Sequence, residues 1–283
     1  MDFAETDDQT MIRSMVRDFA ETIAAPTCRQ RDKEQKPPID EFKQFAELVV
    51  AGMTIPEKYG GQKLDDISEA IVIEELSRVD PSLGVMVAVH VGLCSMTIAL
   101  SGNEEQKNKY LPKLASGEYL GAYSLSEAGS GTDAAAMVAR ASDDGDSYTL
   151  NGEKMWVTNG TTADLFVLFA KVTEHPDYGV KKHGGVTCFI IEKGFEGFKI
   201  GKKEDKLGIR SSDTCTLILD NCKVPKENVL GDVGKGFAIA MNALDNSRIG
   251  IAAQGLGIAQ GAYEAALKYS KERETFGKPI AAH

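Results

Sequence analysis

Histidine, cysteine and tryptophan are scarce in this chain of 283 residues, with four, five and one copies, and each scarcity excludes something. His90, His175, His183 and His283 are too dispersed for a paired-ligand motif, and Cys28, Cys94, Cys188, Cys215 and Cys222 never form a Cys-x-x-Cys arrangement. Zinc is therefore not expected and no metal site is assigned. An odd, scattered set of cysteines also argues for reduced thiols in a reducing compartment. Positive charge is in deficit, 32 Lys and Arg against 42 Asp and Glu for a net −10. No basic stripe of the kind a phosphate backbone requires can be found, so nucleic acid is not an expected partner, and an anionic ligand would need local positive charge. The N-terminus, Met1-Asp-Phe-Ala-Glu-Thr-Asp-Asp8, has neither a basic start nor an apolar signal core. That predicts a cytoplasmic protein, or one of the mitochondrial matrix if a transit peptide was removed. Residues 83–100 carry no formal charge over nearly the length of a membrane span, but Gly84, Gly92, Ser95 and Thr97 dilute the run. A helix buried all round in a core is expected there, not membrane insertion.

What is present is a pattern that changes period twice. From residue 6 to about 115 the spacing is helical. Met11, Ile12, Met15, Val16, Phe19, Ala20 and Ile23 recur at three-to-four intervals behind a Thr6/Gln9 capping box, and Pro26 is expected to close that helix. Further helices are expected at 40–51, 66–78, 82–101 and 104–115, with Gly52 and Gly102 where C-caps belong. After Gly117 the period becomes two, with strands expected at 120–125, 138–142, 148–150, 154–158, 165–171, 186–192 and 215–219, and with Asn151-Gly152 as a hairpin turn. Short antiparallel strands of this kind suggest a small barrel or sandwich. From near Gly234 a helical period returns, and glycines at 250, 255, 257 and 261 imply close helix packing. Gly255-Leu-Gly257 is not a dinucleotide fingerprint, because no strand precedes it.

Two hydroxyl-rich loops stand out. In Tyr123-Ser-Leu-Ser-Glu-Ala-Gly-Ser-Gly-Thr-Asp133 the glycines allow close backbone approach to a ligand, and Ser126, Ser130 and Thr132 offer small neutral hydrogen-bonding groups. In Asn151-Gly-Glu-Lys-Met-Trp-Val-Thr-Asn-Gly160, Trp156 and Thr158 fall on one face of an apparent strand, an aromatic surface beside a hydroxyl. An isoalloxazine ring needs that combination. Each loop taken alone reads as an ordinary turn beside a core tryptophan.

Together with Lys206-Leu-Gly-Ile-Arg-Ser-Ser-Asp213 and Arg273-Glu-Thr-Phe-Gly-Lys278, these loops resemble the acyl-CoA dehydrogenase family in order and spacing, over the whole chain. Glu204-Asp-Lys-Leu-Gly-Ile-Arg210 and Arg248-Ile-Gly-Ile-Ala252 read most like the short-chain, butyryl-type members. The resemblance implies an α+β multidomain fold: an N-terminal all-α domain (1–117), a middle antiparallel β-barrel or sandwich domain (118–228) and the start of a C-terminal α-helical bundle (229–283), which stops early at His283. It further implies FAD lined by Tyr123, Leu125, Ser126 and Thr132, with Trp156 against the ring and Thr158 donating to N5. Arg273 and Phe276 would reach the pyrophosphate and adenine of a neighbouring subunit's FAD, in a homotetramer or homodimer. Thr132, Asp245 and Arg248 would contact an acyl-CoA substrate, with electrons passed to an electron-transfer flavoprotein.

Several of these positions also have a plainer reading. Asp245 and Arg248 are spaced as a surface ion pair, Lys271-Glu-Arg-Glu274 as a charged helix end, and Lys181-Lys-His183 and Lys202-Lys203 as solvated loop charge. The resemblance places the catalytic glutamate beyond His283. The alternative neighbourhood, Leu244-Asp-Asn-Ser-Arg248, holds no glutamate, so no base is assigned. The competing expectations are a non-catalytic flavin- or CoA-binding module, or inactive fragment lacking that glutamate, and a purely structural protein without cofactor.

Overall fold

The computed structural model describes residues 4–48 and 50–283. Helix α1 (Asp7–Phe19) opens on the Thr6/Gln9 capping box, each side chain accepting from the other's backbone N–H. Pro26 does not end it. The chain widens into a π turn at Ala20–Ala24, in which the Ala25 N–H reaches back to the Ala20 carbonyl, and continues as α2 (Ala25–Glu34) with Pro26 in its first turn. Pro26 stands just after the π turn, where the regular i→i−4 ladder is already interrupted, so its missing donor costs little there. The α2 helix stops instead at Gln35, in the left-handed region at φ 54°. Next come α3 (Ile39–Glu47) and α4 (Asp66–Val79), the latter capped by the Asp65 carboxylate on the Ser68 N–H.

The apolar run folds as α5 (Pro81–Ala88), a π segment at Val89–Ser95 and α6 (Met96–Ser101). It is long and apolar enough to cross a membrane, yet 78% of its most apolar window is buried inside the fold. Helix α7 (Glu104–Ala115) completes the layer behind an Asn103/Gln106 capping box.

The middle of the chain forms one eight-stranded sheet. Its strands are β1 (Gly121–Ser124), β2 (Arg140–Asp143), β3 (Ser147–Thr158), β4 (Leu165–Val172), β5 (Val186–Glu192), β6 (Phe198–Lys203), β7 (Thr214–Pro225) and β8 (Val229–Leu230). The order is β6-β7-β3-β2-β4-β5-β8, with β1 paired to β4. Most pairs are antiparallel, but β1 and β2 run parallel to β4.

Asn151-Gly152 is not a hairpin turn. The segments expected at 148–150 and 154–158 are one 12-residue strand, and the Asn-Gly pair is a bulge within it, where the register against β7 shifts and Gly152 takes φ 145°. A Cβ there would lie 2.9 Å from Ala139, so this glycine serves close strand packing. The β2–β3 turn lies instead around Gly145, at φ 91°. Strand β6 was not foreseen, because only Phe198 of its residues is buried.

Strand β4 is buried on both faces. Phe166, Leu168 and Ala170 join a core with α1, α3 and α4, while Leu165, Val167 and Phe169 join a second core with α7 and the C-terminal helix. That helix, α8 (Gly236–Glu272), runs 37 residues. The close packing inferred for its glycines holds at Gly257 and Gly261, where a Cβ would come within 2.2 and 2.1 Å of the α4 carbonyls of Glu74 and Arg78. It fails at Gly255, which faces open space. A short hairpin, β9 (Glu274–Thr275) and β10 (Lys278–Pro279), follows.

Candidate active site

Beside the edge of β1, a cleft of 580 Å³ opens between the sheet, the π segment and α8. The end of β1 supplies Tyr123, Leu125 and Ser126, and the glycine loop supplies Gly131, Thr132 and Asp133. From β3 come Met155, Trp156 and Thr158, from the π segment Val89 and Leu93, and from α8 Phe237, Met241, Leu244 and Arg248.

Local chemistry explains why these segments meet. The β1 strand is pinned at its start by His90, whose Nδ1 accepts from the Gly121 N–H at 3.0 Å and whose Nε2 faces the Leu114 carbonyl at 3.1 Å. Full burial holds the His90 pKa down at about 4, so the ring is neutral, with Nδ1 free to accept and Nε2 donating. The glycine loop is pinned by Lys154, fully buried, which donates to Glu127 at 2.7 Å and to the Leu125 carbonyl at 3.0 Å. Burial pulls the lysine's pKa down despite the neighbouring carboxylate. Glu127 also accepts the Val138 and Ala139 N–H groups. At the far end of β3, Asn159 donates to the carbonyls of Met86 and Gly121, tying the strand to α5 and β1.

Trp156 and Thr158 do share the cleft wall, though not through regular alternation. The register of β3 against β7 shifts between Lys154 and Val157, and Trp156 sits at φ 57°. This bulge turns the indole outward, where it remains 57% exposed. None of the hydroxyls of Ser126, Thr132 and Thr158, nor the indole N–H, has a hydrogen-bond partner among the described residues. Ser130 faces inward and donates to the Asp133 carbonyl.

The other expected residues divide. Arg248 lines the cleft, whereas Asp245 does not; the pair stands at 3.6 Å with both side chains largely exposed. Arg273 and Phe276 do not line the cleft, and Phe276 projects from the β9–β10 hairpin 94% exposed. Lys181 and Lys182, with Arg140 and Lys171, line an adjoining cavity of 680 Å³ that shares Ala135 with the cleft. Lys181 pairs with Asp177 and Lys182 with Asp133. Lys202 and Lys203 line neither cavity. Of the helical wall, sequence reasoning named only Arg248; Val89, Leu93, Phe237, Met241 and Leu244 are apolar residues that read as core positions of the two expected helices. Sequence reasoning also missed the Lys154–Glu127 pair, whose one signal was a charged residue in each loop.

A roomy cleft walled by a sheet edge and two helices, furnished with uncommitted hydroxyls and an open aromatic face, is the site of a small-molecule enzyme. Comparison with known proteins gives the class a family. Residues 6–118, 122–222 and 234–283 match, in turn, the N-terminal, middle and C-terminal domains of acyl-CoA dehydrogenases. The chain belongs to the acyl-CoA dehydrogenase family. The short-chain specific acyl-CoA dehydrogenase of Clostridium acetobutylicum is 46% identical over 280 residues, covering 99% of this chain and 73% of that protein. A chain in the solved structure of the electron transferring flavoprotein of Acidaminococcus fermentans is 47% identical with a TM-score of 0.95, covering 100% of this chain and 73% of the other. The acyl-CoA dehydrogenase of Bacillus anthracis complexed with FAD is 38% identical with a TM-score of 0.90, covering 98% of this chain and 47% of that one.

Proposed function

We propose that this protein is an FAD-dependent dehydrogenase of short-chain acyl-CoA thioesters, forming the trans-2-enoyl-CoA and passing electrons to an electron-transfer flavoprotein. One observation carries the reading. Tyr123, Leu125, Ser126, Thr132, Trp156 and Thr158 line a single cleft, and the hydroxyls of Ser126, Thr132 and Thr158 and the indole N–H have no partner among the described residues.

FAD suits this donor set, because a flat, largely apolar ring edged with acceptors matches an open indole beside neutral hydroxyls. When bound it would supply a two-electron acceptor for the β-hydrogen of the thioester. The chain's own residues would hold and orient. Trp156 would lie against the ring, and the Thr158 hydroxyl would be the donor to its N5. Tyr123, Leu125, Ser126 and Thr132 fix its edge, and Thr132 also borders the substrate. Arg248 offers positive charge on the α8 wall of the cleft, with Asp245 beside it, both toward the pantetheine arm. The short-chain assignment rests on the 46% identity to a short-chain specific relative.

The only carboxylate among the described residues lining the cleft is Asp133, which is paired with Lys182. We assign the base to a glutamate in the part of the relatives' length that this chain does not span. The same lining would also serve a second reading, a non-catalytic flavin- and CoA-binding module. The same proposal divides the chain at 1–117, 118–228 and 229–283, where the sheet takes over from α7 and hands on to α8. It makes the assembly a homodimer or homotetramer, supported by Ile249, Ile251, Leu256, Ile258 and Tyr263 exposed along α8. Five free thiols suit a reducing cytoplasm or matrix.

Adding butyryl-CoA anaerobically to the FAD-loaded chain tests the function. Bleaching of the flavin absorbance is expected for the dehydrogenase, perturbation without bleaching for the module, and no response to any acyl-CoA defeats both. Arg273→Ala is expected to lower retained FAD, read as the ratio of flavin to protein absorbance after gel filtration. An unchanged ratio would remove Arg273 from the cofactor site.

A further inference from the structure

Glu69, in the first turns of α4, is a half-buried carboxyl to which none of the binding roles above is assigned. Its side chain has no hydrogen-bond or ion-pair partner among the described residues. Oε1 points into the gap between the π segment and α8, 3.0 Å from where a Cβ on Gly92 would stand and 3.8 Å from where one on Gly250 would stand. Both facing helices therefore carry glycine where this carboxyl needs room. Gly92 adjoins Leu93, which lines the cleft, and Ser247, whose Cβ lies 4.0 Å from the same Gly92 position, adjoins the lining residue Arg248. Glu69 thus faces the gap between the same two helices that wall the cleft, one residue beyond the lining on the π segment and beside Ser247 on α8.

We propose that Glu69 closes the blind, acyl end of the cleft and is a specificity-determining residue, admitting short apolar chains and opposing those long enough to reach its carboxyl. This deepens the functional reading above and rests on it. The physical cause is desolvation. A tail that reaches Glu69 takes its last water away, which a neutral carboxyl tolerates and an ionised, unpaired one does not.

The surroundings set the balance between the two forms near neutral pH. Burial, with Asp66 adding to it, raises the Glu69 pKa to about 7. On α4 itself, Asp65 is occupied by the Ser68 N–H and Gln9. The π segment offers His90, neutral and turned to Gly121 and Leu114, and Cys94, whose buried thiol is held neutral with its pKa pushed up to about 12. On α8, Arg248 stands with Asp245 at the solvent-exposed side.

The test is calorimetric titration of the FAD-loaded protein with butyryl-, hexanoyl- and octanoyl-CoA at pH 6 and pH 8, for the parent chain, Glu69→Gln and Glu69→Ala. In the parent, hexanoyl-CoA affinity is expected to fall about tenfold from pH 6 to pH 8 while butyryl-CoA affinity stays level, the loss equalling the burial of roughly two methylenes. Glu69→Gln should bind hexanoyl-CoA equally at both pH values. Glu69→Ala should shift the preference toward the longer esters by a similar factor. If butyryl-CoA binds but its affinity ratio to hexanoyl-CoA is the same in all three proteins and at both pH values, the role of Glu69 is refuted and the functional reading stands. If no acyl-CoA binds the parent at either pH, both fall together.

Discussion

Lys154→Met is expected to destabilise the fold by about 3–5 kcal/mol, the usual cost of stripping one partner from a buried ion pair. The side chain of Lys154 is 0% exposed and that of Glu127 is 4% exposed, so removing the ammonium leaves a carboxylate that water cannot reach. Two backbone N–H groups, of Val138 and Ala139, still reach Glu127, and they hold the carboxylate in place without neutralising it. The damage should also be local to the cleft, because Lys154 is what binds the Leu125 carbonyl and Glu127 is what ties the glycine loop to the entry of β2. Urea unfolding measures the first effect. Flavin binding by the still-folded fraction measures the second.

The double variant Lys154→Met/Glu127→Gln separates loss of the pair from loss of the space it fills. With no charge left unpaired it should recover most of the stability, while the loop, held by weaker neutral bonds, should still bind flavin less tightly than the parent. Should Lys154→Met alone unfold at the parent's urea concentration, the pair is not what fixes the loop.

How much of this was legible in sequence depends on whether the signal was local. The capping box at Thr6, the change of period after Gly117 and the long helix after Gly234 are written in neighbouring residues and could be read directly. Asn151-Gly152 misled for a physical reason: the pair favours positive φ, and a bulge inside a long strand uses that preference as readily as a hairpin turn does. Pro26 misled in the same way, since a proline that stops one helix can equally begin the next turn. For the site, hydroxyls and the indole could be named, because the chemistry requires those residue types. The reason they meet could not. His90, Asn159 and the Lys154–Glu127 pair act across 24 to 73 residues of chain, and no periodicity reports contacts at that range.

His90 and Glu69 give opposite responses to pH, and the second large effect follows from their sum. The pKa of His90 is lowered from 6.5 to about 4. Between those values the unfolded chain binds the proton and the folded one does not, so stability rises with pH across that window. The pKa of Glu69 is raised from 4.5 to about 7. Between those values the folded chain binds the proton and the unfolded one does not, so stability falls as pH rises. Each shift is worth about 3 kcal/mol at most. From pH 4.5 to 6.5 the two slopes oppose, and the parent's stability from these groups should be nearly level. Glu69→Gln removes one slope and exposes the other: stability by urea unfolding is expected to climb by about 2–3 kcal/mol between pH 4.5 and 6.5. A variant profile as level as the parent's would mean that His90 takes up its proton in the folded state, leaving the Gly121 N–H without its acceptor. A parent profile that already climbs steeply would mean that Glu69 is ionised throughout, and that the carboxyl between Gly92 and Gly250 is hydrated when no ligand is bound.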